Sequence, residues 1–234
     1  MVIDDKLSIL THGELVVTGR LVDASNATLY SSINLGDETM NAIYKPIAGE
    51  RPLWDFTDGS LAHREYASYL ISHHCGFDVV PLTILRDGPY GIGMVQEWIE
   101  IDESIDLSVF FSTNDPRLRS MAVFDAIINN TDRKIGHLLP SRNGELFGCD
   151  HGVTFHTQDK LRTVLWQFSG DVLTELELDQ LETTLRILET ELDLTPYLTT
   201  AELEALTHRI QRLISSGVMP EPNPDWPAVP WPAY

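Results

Sequence analysis

A polar cluster at the end of an apolar stretch holds the residues of this chain that are best suited to chemistry. Residues 124–128 read as the buried end of a helix, and the cluster that follows is Asn129, Asn130, Thr131, Asp132 and Arg133. His137 comes five residues after Asp132, and Asp150 comes thirteen residues after His137. Carboxylates and imidazoles are common metal ligands, and a second carboxylate can accept a proton. The spacing indicates metal-assisted chemistry at these loops.

A β-hairpin is the element expected to bring two of these side chains together. Asn143-Gly144 is a strong signal for a hairpin turn, and the stretches on either side of it have strand character. The paired strands would place His137 and Asp150 side by side at one end of the hairpin. Asp132, on the loop that precedes the hairpin, would then face both.

Short runs rich in Val, Ile, Thr and Tyr, separated by turn residues, predict a small antiparallel sheet in the first part of the chain. The predicted strands are residues 7–10, 15–22, 28–33, 41–45, 79–85 and 91–99. Apolar residues at helical spacing predict four helices. The first helix is residues 60–74, and the second is capped by Asp115 with Pro116 at its first position. The other two are the leucine-rich residues 178–192 and 203–214. The last of these follows a capping box of Thr199 and Glu202. The order is typical of an α+β protein.

The composition excludes several classes of protein. The 234 residues include 16 Lys plus Arg against 35 Asp plus Glu, for a net charge of −19. That charge repels phosphate backbones and anionic bilayers, so we expect neither nucleic acid nor a membrane as partner. No apolar run approaches the roughly 18–20 residues of a spanning helix, and no signal pattern opens the chain. Cys75 and Cys149 predict no disulfide framework, and by elimination we expect a cytoplasmic protein.

The last fifteen residues, 220–234, form a proline-rich tail that also contains Trp226 and Trp231. So many prolines exclude a helix or a central strand. The tail is either an extended arm packed by its tryptophans or a free polyproline-like ligand. We favour the packed arm, because free tails seldom carry two tryptophans.

The order and spacing of several motifs over residues 19–155 resemble the catalytic core of the protein-kinase-like superfamily. In that superfamily a catalytic-loop Asp is followed five residues later by a metal ligand and then by Asp-x-Gly. The Asn-x-Asp-Arg motif of residues 130–133 looks most like the HipA-type kinases and the phosphatidylinositol 3- and 4-kinases. The sequence also resembles small bacterial, mainly actinobacterial, proteins related to those phosphatidylinositol kinases. The resemblance implies a two-lobed fold, with a sheet N-lobe of residues 1–99, a mostly helical C-lobe of residues 100–219, and the arm.

The resemblance also implies ATP with Mg²⁺ or Mn²⁺, and a role for each matching position. Lys45 would hold the α- and β-phosphates of the nucleotide, and Glu65 would hold Lys45. The phosphate loop would be Ser25, Asn26, Ala27 and Thr28, and the hinge to adenine would be Gln96, Glu97, Trp98 and Ile99. Asp132 would be the catalytic residue, and His137 and Asp150 would bind the metal.

This sequence departs from the family pattern at three places. The phosphate loop lacks Gly-x-Gly-x-x-Gly, His137 stands where the family has Asn, and His151 replaces the Phe of Asp-Phe-Gly. Imidazole is a softer ligand than an amide oxygen, so His137 would favour Mn²⁺ over Mg²⁺. These departures leave open whether catalysis is retained.

The function expected from the sequence is an ATP-dependent phosphotransferase that acts on a hydroxyl of a small molecule or of a protein. A lipid headgroup is disfavoured, because residues 152–170 offer only Lys160 and Arg162 as cations. The alternatives are a pseudokinase that binds ATP without turnover and an enzyme of the same fold that transfers AMP. A metal-dependent hydrolase using Asp132, His137, Asp150 and His151 ranks last, because no helical metal motif is present.

Overall fold

The computed structural model describes residues 3–21 and 27–234, and it contains an antiparallel sheet followed by a mostly helical part. The helices are α1 Ile3–His12, α2 Leu61–His74, α3 Leu107–Phe110, α4 Pro116–Ile128, α5 Glu175–Thr190 and α6 Thr200–Ser216. The strands are β1 Glu14–Arg20, β2 Leu29–Leu35, β3 Glu38–Pro46, β4 Thr83–Gly88, β5 Gly91–Glu97, β6 Leu138–Pro140 and β7 Leu146–Gly148. The predicted α+β class is confirmed, with the five-stranded antiparallel sheet, α1 and α2 in the N-lobe and with α3 to α6 and the β6–β7 hairpin in the C-lobe.

The N-lobe sheet has five strands in the order β1-β2-β3-β5-β4, and all neighbours are antiparallel. The helix α2 lies in the chain between β3 and β4 and packs against β4 and β5. Its residues Ala67 and Ile71 are fully buried. This arrangement places the end of β3 beside α2, which is what brings Lys45 near Glu65.

The C-lobe core is built on α4, which begins as predicted. Asp115 caps the helix by accepting a hydrogen bond of 2.9 Å from the Arg117 backbone N–H, and Pro116 is the first helical residue. Leu118, Met121 and Phe124 are fully buried. Because α4 is surrounded by the core, its C-terminal end delivers the polar cluster into the interior of the molecule.

The strand predicted at residues 7–10 is wrong, since these residues belong to α1. Asp4 and Asp5 lie in its first turn, where negative charge stabilises a helix. Ile9 and Leu10 are buried, and the helix contacts β2 and β3. Four apolar-rich residues do not distinguish a strand from one face of a helix without their flanking residues.

The strand predicted at residues 79–85 begins only at Thr83 in the structure. The backbone N–H groups of Val79 and Val80 donate to the Ser72 hydroxyl at 2.9 and 3.1 Å, and Pro81 has no N–H. The segment before Thr83 therefore cannot pair as a strand. Val22, the predicted end of the second strand, lies outside the described residues.

The two late helices form as predicted, and α6 connects to the N-lobe helix. Thr199 and Glu202 make the predicted capping box, in which the Thr199 hydroxyl accepts from the Glu202 N–H. Glu202 is also ion-paired with Arg64 of α2. Thr174 forms a second capping box at the start of α5, which the sequence analysis missed. None of the helices formed by the described residues is long and apolar enough to cross a bilayer.

Replacing the cap of α6 tests its contribution to stability. Thr199→Ala removes the side-chain oxygen that accepts from the N-terminal backbone of the helix, and we expect a loss of about 1 kcal/mol in the free energy of unfolding. Urea denaturation measures the loss. The neighbouring Thr200→Ala is the matched control, because Thr200 is exposed and makes no cap; equal losses in the two variants would contradict the role of Thr199.

Candidate active site

Lys45 of β3 and Glu65 of α2 form an ion pair. Lys45 lies near the end of β3, opposite Met94 of β5, and its Nζ is 2.5 Å from Glu65 Oε1. Glu65 is buried on α2, and its Oε2 accepts a hydrogen bond of 2.9 Å from the His151 backbone N–H. Burial raises the pKa of Glu65, although Lys45 opposes that effect. The carboxylate thus ties the N-lobe lysine to the C-lobe loop that follows Asp150.

Asp150 meets the same lysine from the C-lobe side. Lys45 Nζ donates to Asp150 Oδ1 at 2.8 Å. Burial by itself would lower the pKa of Lys45, but the charges of Asp150 and Glu65 outweigh it, and the pKa rises above its ordinary value. Lys45 in turn holds the pKa of Asp150 well below its usual range. The amine is therefore protonated and the Asp150 carboxylate ionised at neutral pH.

The predicted hairpin forms and brings His137 next to Asp150. The strands β6 and β7 pair with Leu138 opposite Gly148, and the Cys149 N–H donates to the His137 carbonyl at 3.1 Å. His137 Nε2 lies 3.5 Å from Asp150 Oδ2. The side chain of Asp150 is 42% exposed, so its carboxylate remains open to the cleft.

Asp132, His137 and Asp150 converge on one point. Each offers a ligand atom, and these three atoms lie within 4.8 Å of one another. Burial lowers the pKa of His137 to about 4, so its imidazole is neutral at pH 7, which is the form that binds metal ions. The geometry and the donor set therefore fit a divalent cation.

Asp132 stands at the edge of this cluster with a cation beside it. Its Oδ2 is 3.3 Å from Lys134 Nζ, and its backbone N–H donates to Asn130 Oδ1 at 3.0 Å. Burial raises the pKa of Asp132 above its ordinary value, and Lys134 opposes that shift. A carboxylate with a raised pKa is a better proton acceptor than one in water.

Arg133 connects the loop that carries Asp132 with the loop that carries Asp150 through buried hydrogen bonds. Its guanidinium is fully buried and makes two hydrogen bonds, of 2.8 and 2.9 Å, to the Asp125 carboxylate of α4. It also donates to the Cys149 carbonyl at 3.1 Å, and its Nη2 lies 2.7 Å from His151 Nε2. Burial and Arg133 lower the pKa of His151, so its neutral ring accepts this bond. His151 thus supports the loop of Asp150.

A cavity of about 490 Å³ opens in front of Asp132 and Lys45. Both lobes and the C-terminal arm line it. The charged lining residues are Lys45, Glu50, Arg51, Asp55, Glu65, Asp132, Lys134, Asp150, Lys160 and Arg162, and the tryptophans are Trp54, Trp226 and Trp231. The structure therefore brings Lys45, Glu65, Asp132 and Asp150 to one cavity, as the sequence predicts.

The predicted phosphate loop is described in part. Ser25 and Asn26 lie outside the described residues. Ala27 lines the cavity, and its N–H donates to the Gly49 carbonyl at 3.2 Å. Thr28 is buried, and its carbonyl accepts from the Leu21 N–H at 2.9 Å, which closes the β1–β2 connection. The end of this loop therefore borders the site.

The predicted hinge residues occupy the end of β5 and the segment after it, and the cavity lining in the described structure does not include them. Gln96 is buried, and its amide donates to the Thr83 hydroxyl at 2.9 Å. Glu97 pairs with Lys6 at 2.5 Å, and Trp98 packs edge-on against Tyr30. Contact of residues 96–99 with adenine stays a prediction.

No role was predicted from the sequence for Arg133, Asp125 or Lys134. An aspartate inside the apolar stretch of α4 was the available signal, since a buried carboxylate needs a cationic partner. Arg133, eight residues later, is that partner. The position of Lys134 two residues after Asp132 carried no comparable signal, because a lysine beside a polar cluster is ordinarily exposed.

Protein Rv2133c of Mycobacterium tuberculosis is 40% identical to this chain in an alignment of 268 positions, gaps included, that covers 99% of this chain and 96% of that protein. The chain therefore belongs to the same family as Rv2133c.

No family model matches the chain. The crystal structure of the Helicobacter pylori proinflammatory kinase CtkA is similar over 90% of this chain and 94% of that chain, with a TM-score of 0.47 and 14% identity. At so low a TM-score the similarity carries no weight for the function of this chain.

The Arg133–Asp125 pair can be tested by removing its carboxylate. Asp125→Ala leaves a fully buried guanidinium without its counter-charge, and we expect a loss of about 3–5 kcal/mol in the free energy of unfolding. Urea denaturation measures it. Glu191→Ala is the control, because it breaks an ion pair with Arg186 that is exposed on both sides and should change stability by less than about 0.5 kcal/mol. Equal losses in the two variants would refute the supporting role of Arg133.

Proposed function

We propose that this chain is an ATP-dependent phosphotransferase of the kinase-like superfamily, related to the HipA-type kinases and the phosphatidylinositol 3- and 4-kinases. The observation that carries the proposal is the position of Lys45. Its Nζ lies 2.5 Å from Glu65 Oε1 and 2.8 Å from Asp150 Oδ1, in the cavity that also contains Asp132. These residues come from β3, α2 and two separate C-lobe loops. Phosphoryl transfer depends on such positioned charges more than on covalent chemistry by the protein.

The cations of the site would bind the triphosphate. Lys45 would donate to the α- and β-phosphate oxygens, and Glu65 holds it in place for that contact. Lys134, beside Asp132, would neutralise the charge that develops on the transferred phosphoryl group. The end of the phosphate loop at Ala27 borders the same cavity, and its backbone would cover the nucleotide from the N-lobe side.

Asp150 and His137 would bind a divalent ion, Mg²⁺ or Mn²⁺, and Asp132 would lie next to that ion. When bound, the ion would supply positive charge next to the phosphate oxygens. His137 is neutral at pH 7 and so can contribute a nitrogen ligand without losing a proton. A nitrogen ligand among oxygens favours Mn²⁺ relative to an all-oxygen site.

Asp132 would act on the acceptor. The acceptor hydroxyl would donate its proton to the Asp132 carboxylate while its oxygen forms a bond to the γ-phosphorus. The bond between the γ-phosphorus and the β–γ bridging oxygen breaks at the same time, and ADP leaves with the electron pair of that bond. Burial and the raised pKa of Asp132 suit it to accept this proton.

A binding module that holds ATP without turnover is the second candidate function. His137, at the position where the family has Asn, favours it, because a changed metal ligand can retain binding while slowing transfer. ATP carrying a label in either the γ or the α position separates the candidates. Transfer of the γ label supports the phosphotransferase, transfer of the α label indicates AMP transfer, and binding without either supports the module.

Asp132→Asn tests the role of the carboxylate in transfer. Removing a general base lowers a rate by about 10²- to 10⁴-fold, so we expect γ-label transfer to fall at least about 100-fold while ATP binding is kept. Asp87→Asn, which changes an exposed carboxyl at the β4–β5 turn, is the matched control and should retain the wild-type rate. Wild-type transfer by Asp132→Asn would show that Asp132 is not the base.

Lys45→Ala tests the contact with the phosphates. The loss of one charge-assisted contact should weaken ATP binding by roughly 10- to 100-fold, as measured by isothermal titration calorimetry with Mg²⁺ present. Arg186→Ala, on the exposed face of α5, removes a cation of similar charge away from the cavity and should leave the dissociation constant unchanged. An unchanged constant in Lys45→Ala would remove the basis of the proposed nucleotide site.

A further inference from the structure

The C-terminal arm, residues 220–234, lies along the loops that surround Asp132. The Ala228 carbonyl accepts hydrogen bonds from the Thr163 N–H at 3.1 Å and from Trp166 Nε1 at 2.7 Å. The Ala233 carbonyl accepts from the Ile135 N–H at 2.9 Å, in the 3₁₀ turn that carries His137. The arm is therefore a fixed part of the site, as the packed-arm prediction requires, and it covers the C-lobe surface next to Asp132.

Lys160 joins this arm to the N-lobe. Its side chain is almost completely buried, and its Nζ lies 4.7 Å from the ring centre of Trp54 and 4.4 Å from that of Trp226. The same amine is 2.9 Å from Asp55 Oδ2. Trp54 and Asp55 belong to the N-lobe loop between β3 and α2. This loop and the C-terminal arm therefore together line this side of the cavity. Its volume of about 490 Å³ is typical of a site for a small molecule.

The charged lining of this cavity is balanced, with five cations and five carboxylates in a protein whose net charge is −19. Three of the four lysines of the chain, Lys45, Lys134 and Lys160, line it. Arg162 lies beside them, and its Nε donates to the Thr131 carbonyl at 2.7 Å. Among the described residues its two terminal nitrogens have no hydrogen-bond partner. A guanidinium fork held in place at one end is suited to bind a carboxylate or a phosphate at the other.

Two exposed tryptophans flank the mouth of the cavity. Trp231 and Trp54 are 93% and 84% exposed, more than any other large apolar side chain in the described part of the chain. The structure therefore corrects the expectation that Trp231 packs the arm, since only Trp226 does so. Aromatic side chains left open at the rim of a pocket are typical of ligand binding.

We propose that the side of this cavity bounded by Arg162, Trp54 and the C-terminal arm is the acceptor site, while the side of Lys45 and Ala27 takes the nucleotide, and that the acceptor is a small hydroxylated molecule that carries an anionic group. The inference rests on the proposed phosphotransferase function. Arg162 binds the anionic group, the rings of Trp54 and Trp231 cover the body of the molecule, and the hydroxyl faces Asp132. The chain's own arm and the loop of Trp54 line this side of the cavity, which favours a small molecule over a polypeptide as acceptor.

The size and charge of the acceptor can be tested before it is identified. The protein is incubated with ATP labelled in the γ position and Mg²⁺, together with one of three fractions of a bacterial extract. These are its proteins, its small molecules that bind an anion-exchange resin, and its small molecules that do not. We expect a labelled product only with the small molecules that bind the resin.

The other outcomes each overturn a defined claim. Label on protein overturns the small-molecule acceptor, and label only with the unretained molecules overturns the anionic group. Label with no fraction, from a preparation that transfers phosphate from ATP to water, overturns the acceptor site itself. A preparation that neither binds nor hydrolyses ATP would instead overturn the proposed function, and this inference with it.

Two variants then test the residues of the wall. With the retained fraction as acceptor, Arg162→Gln should raise the amount needed for half-maximal rate by about tenfold or more, and Trp231→Ala by about threefold or more. The ATP concentration needed for half-maximal rate should stay unchanged in both. Tyr90→Ala, which removes another exposed ring at the β4–β5 turn, is the matched control.

Trp231→Ala keeps the test decisive if Arg162→Gln fails to fold, because so exposed a side chain is not needed for folding. Unchanged acceptor requirements in the variants that fold would overturn the proposed wall. The proposed wall would also be overturned if the ATP concentration needed for half-maximal rate rose as much as the amount of acceptor needed. Such a rise would indicate a general disturbance of the site.

Discussion

The buried guanidinium of Arg133 is the interaction on which the rest of the site depends. It binds the Asp125 carboxylate of α4, the His151 ring and the backbone of the hairpin that carries His137. A methyl group on Gly148 would lie 2.8 Å from Arg133 Nη1, so only glycine leaves room for the guanidinium there. A buried charge of this kind is tolerated only while its partners remain in place. The loops that carry Asp132 and Asp150 are therefore held in one geometry by the core of the C-lobe.

In the N-lobe, Lys45 has a role similar to that of Arg133. Its ion pairs with two carboxylates link the two lobes. Its amine lies between the carboxylates of Glu65 and Asp150, one from each lobe. The two carboxylates differ in their surroundings, because Glu65 is buried and Asp150 is open to the cavity. Glu65 can therefore keep its contact with Lys45 while Asp150 takes a ligand. The lysine, the two carboxylates and Asp132 together place fixed charges around one cavity, as the proposed phosphoryl transfer requires.

The parts of the site that depend on local signals could be predicted from the sequence. Asn143-Gly144 specified the hairpin, which brought His137 to Asp150, and the caps of α4 and α6 formed as expected. The meeting of Lys45 with Asp150, 105 residues apart, followed from the order of motifs in a known family, since no local pattern specifies it. Arg133 was missed because a charged residue in a polar cluster ordinarily lies at the surface. Only the packing of α4 against the loops shows that it is buried.

The structure of the protein with a non-hydrolysable ATP analogue and Mn²⁺ is the most direct test of the central claim, that residues from both lobes converge on one triphosphate. Anomalous scattering locates the ion. The account predicts Mn²⁺ within coordination distance of Asp150 and His137, and phosphate oxygens within hydrogen-bond distance of Lys45 Nζ. An ion or a triphosphate bound away from these residues, or no nucleotide at millimolar concentration, would contradict it.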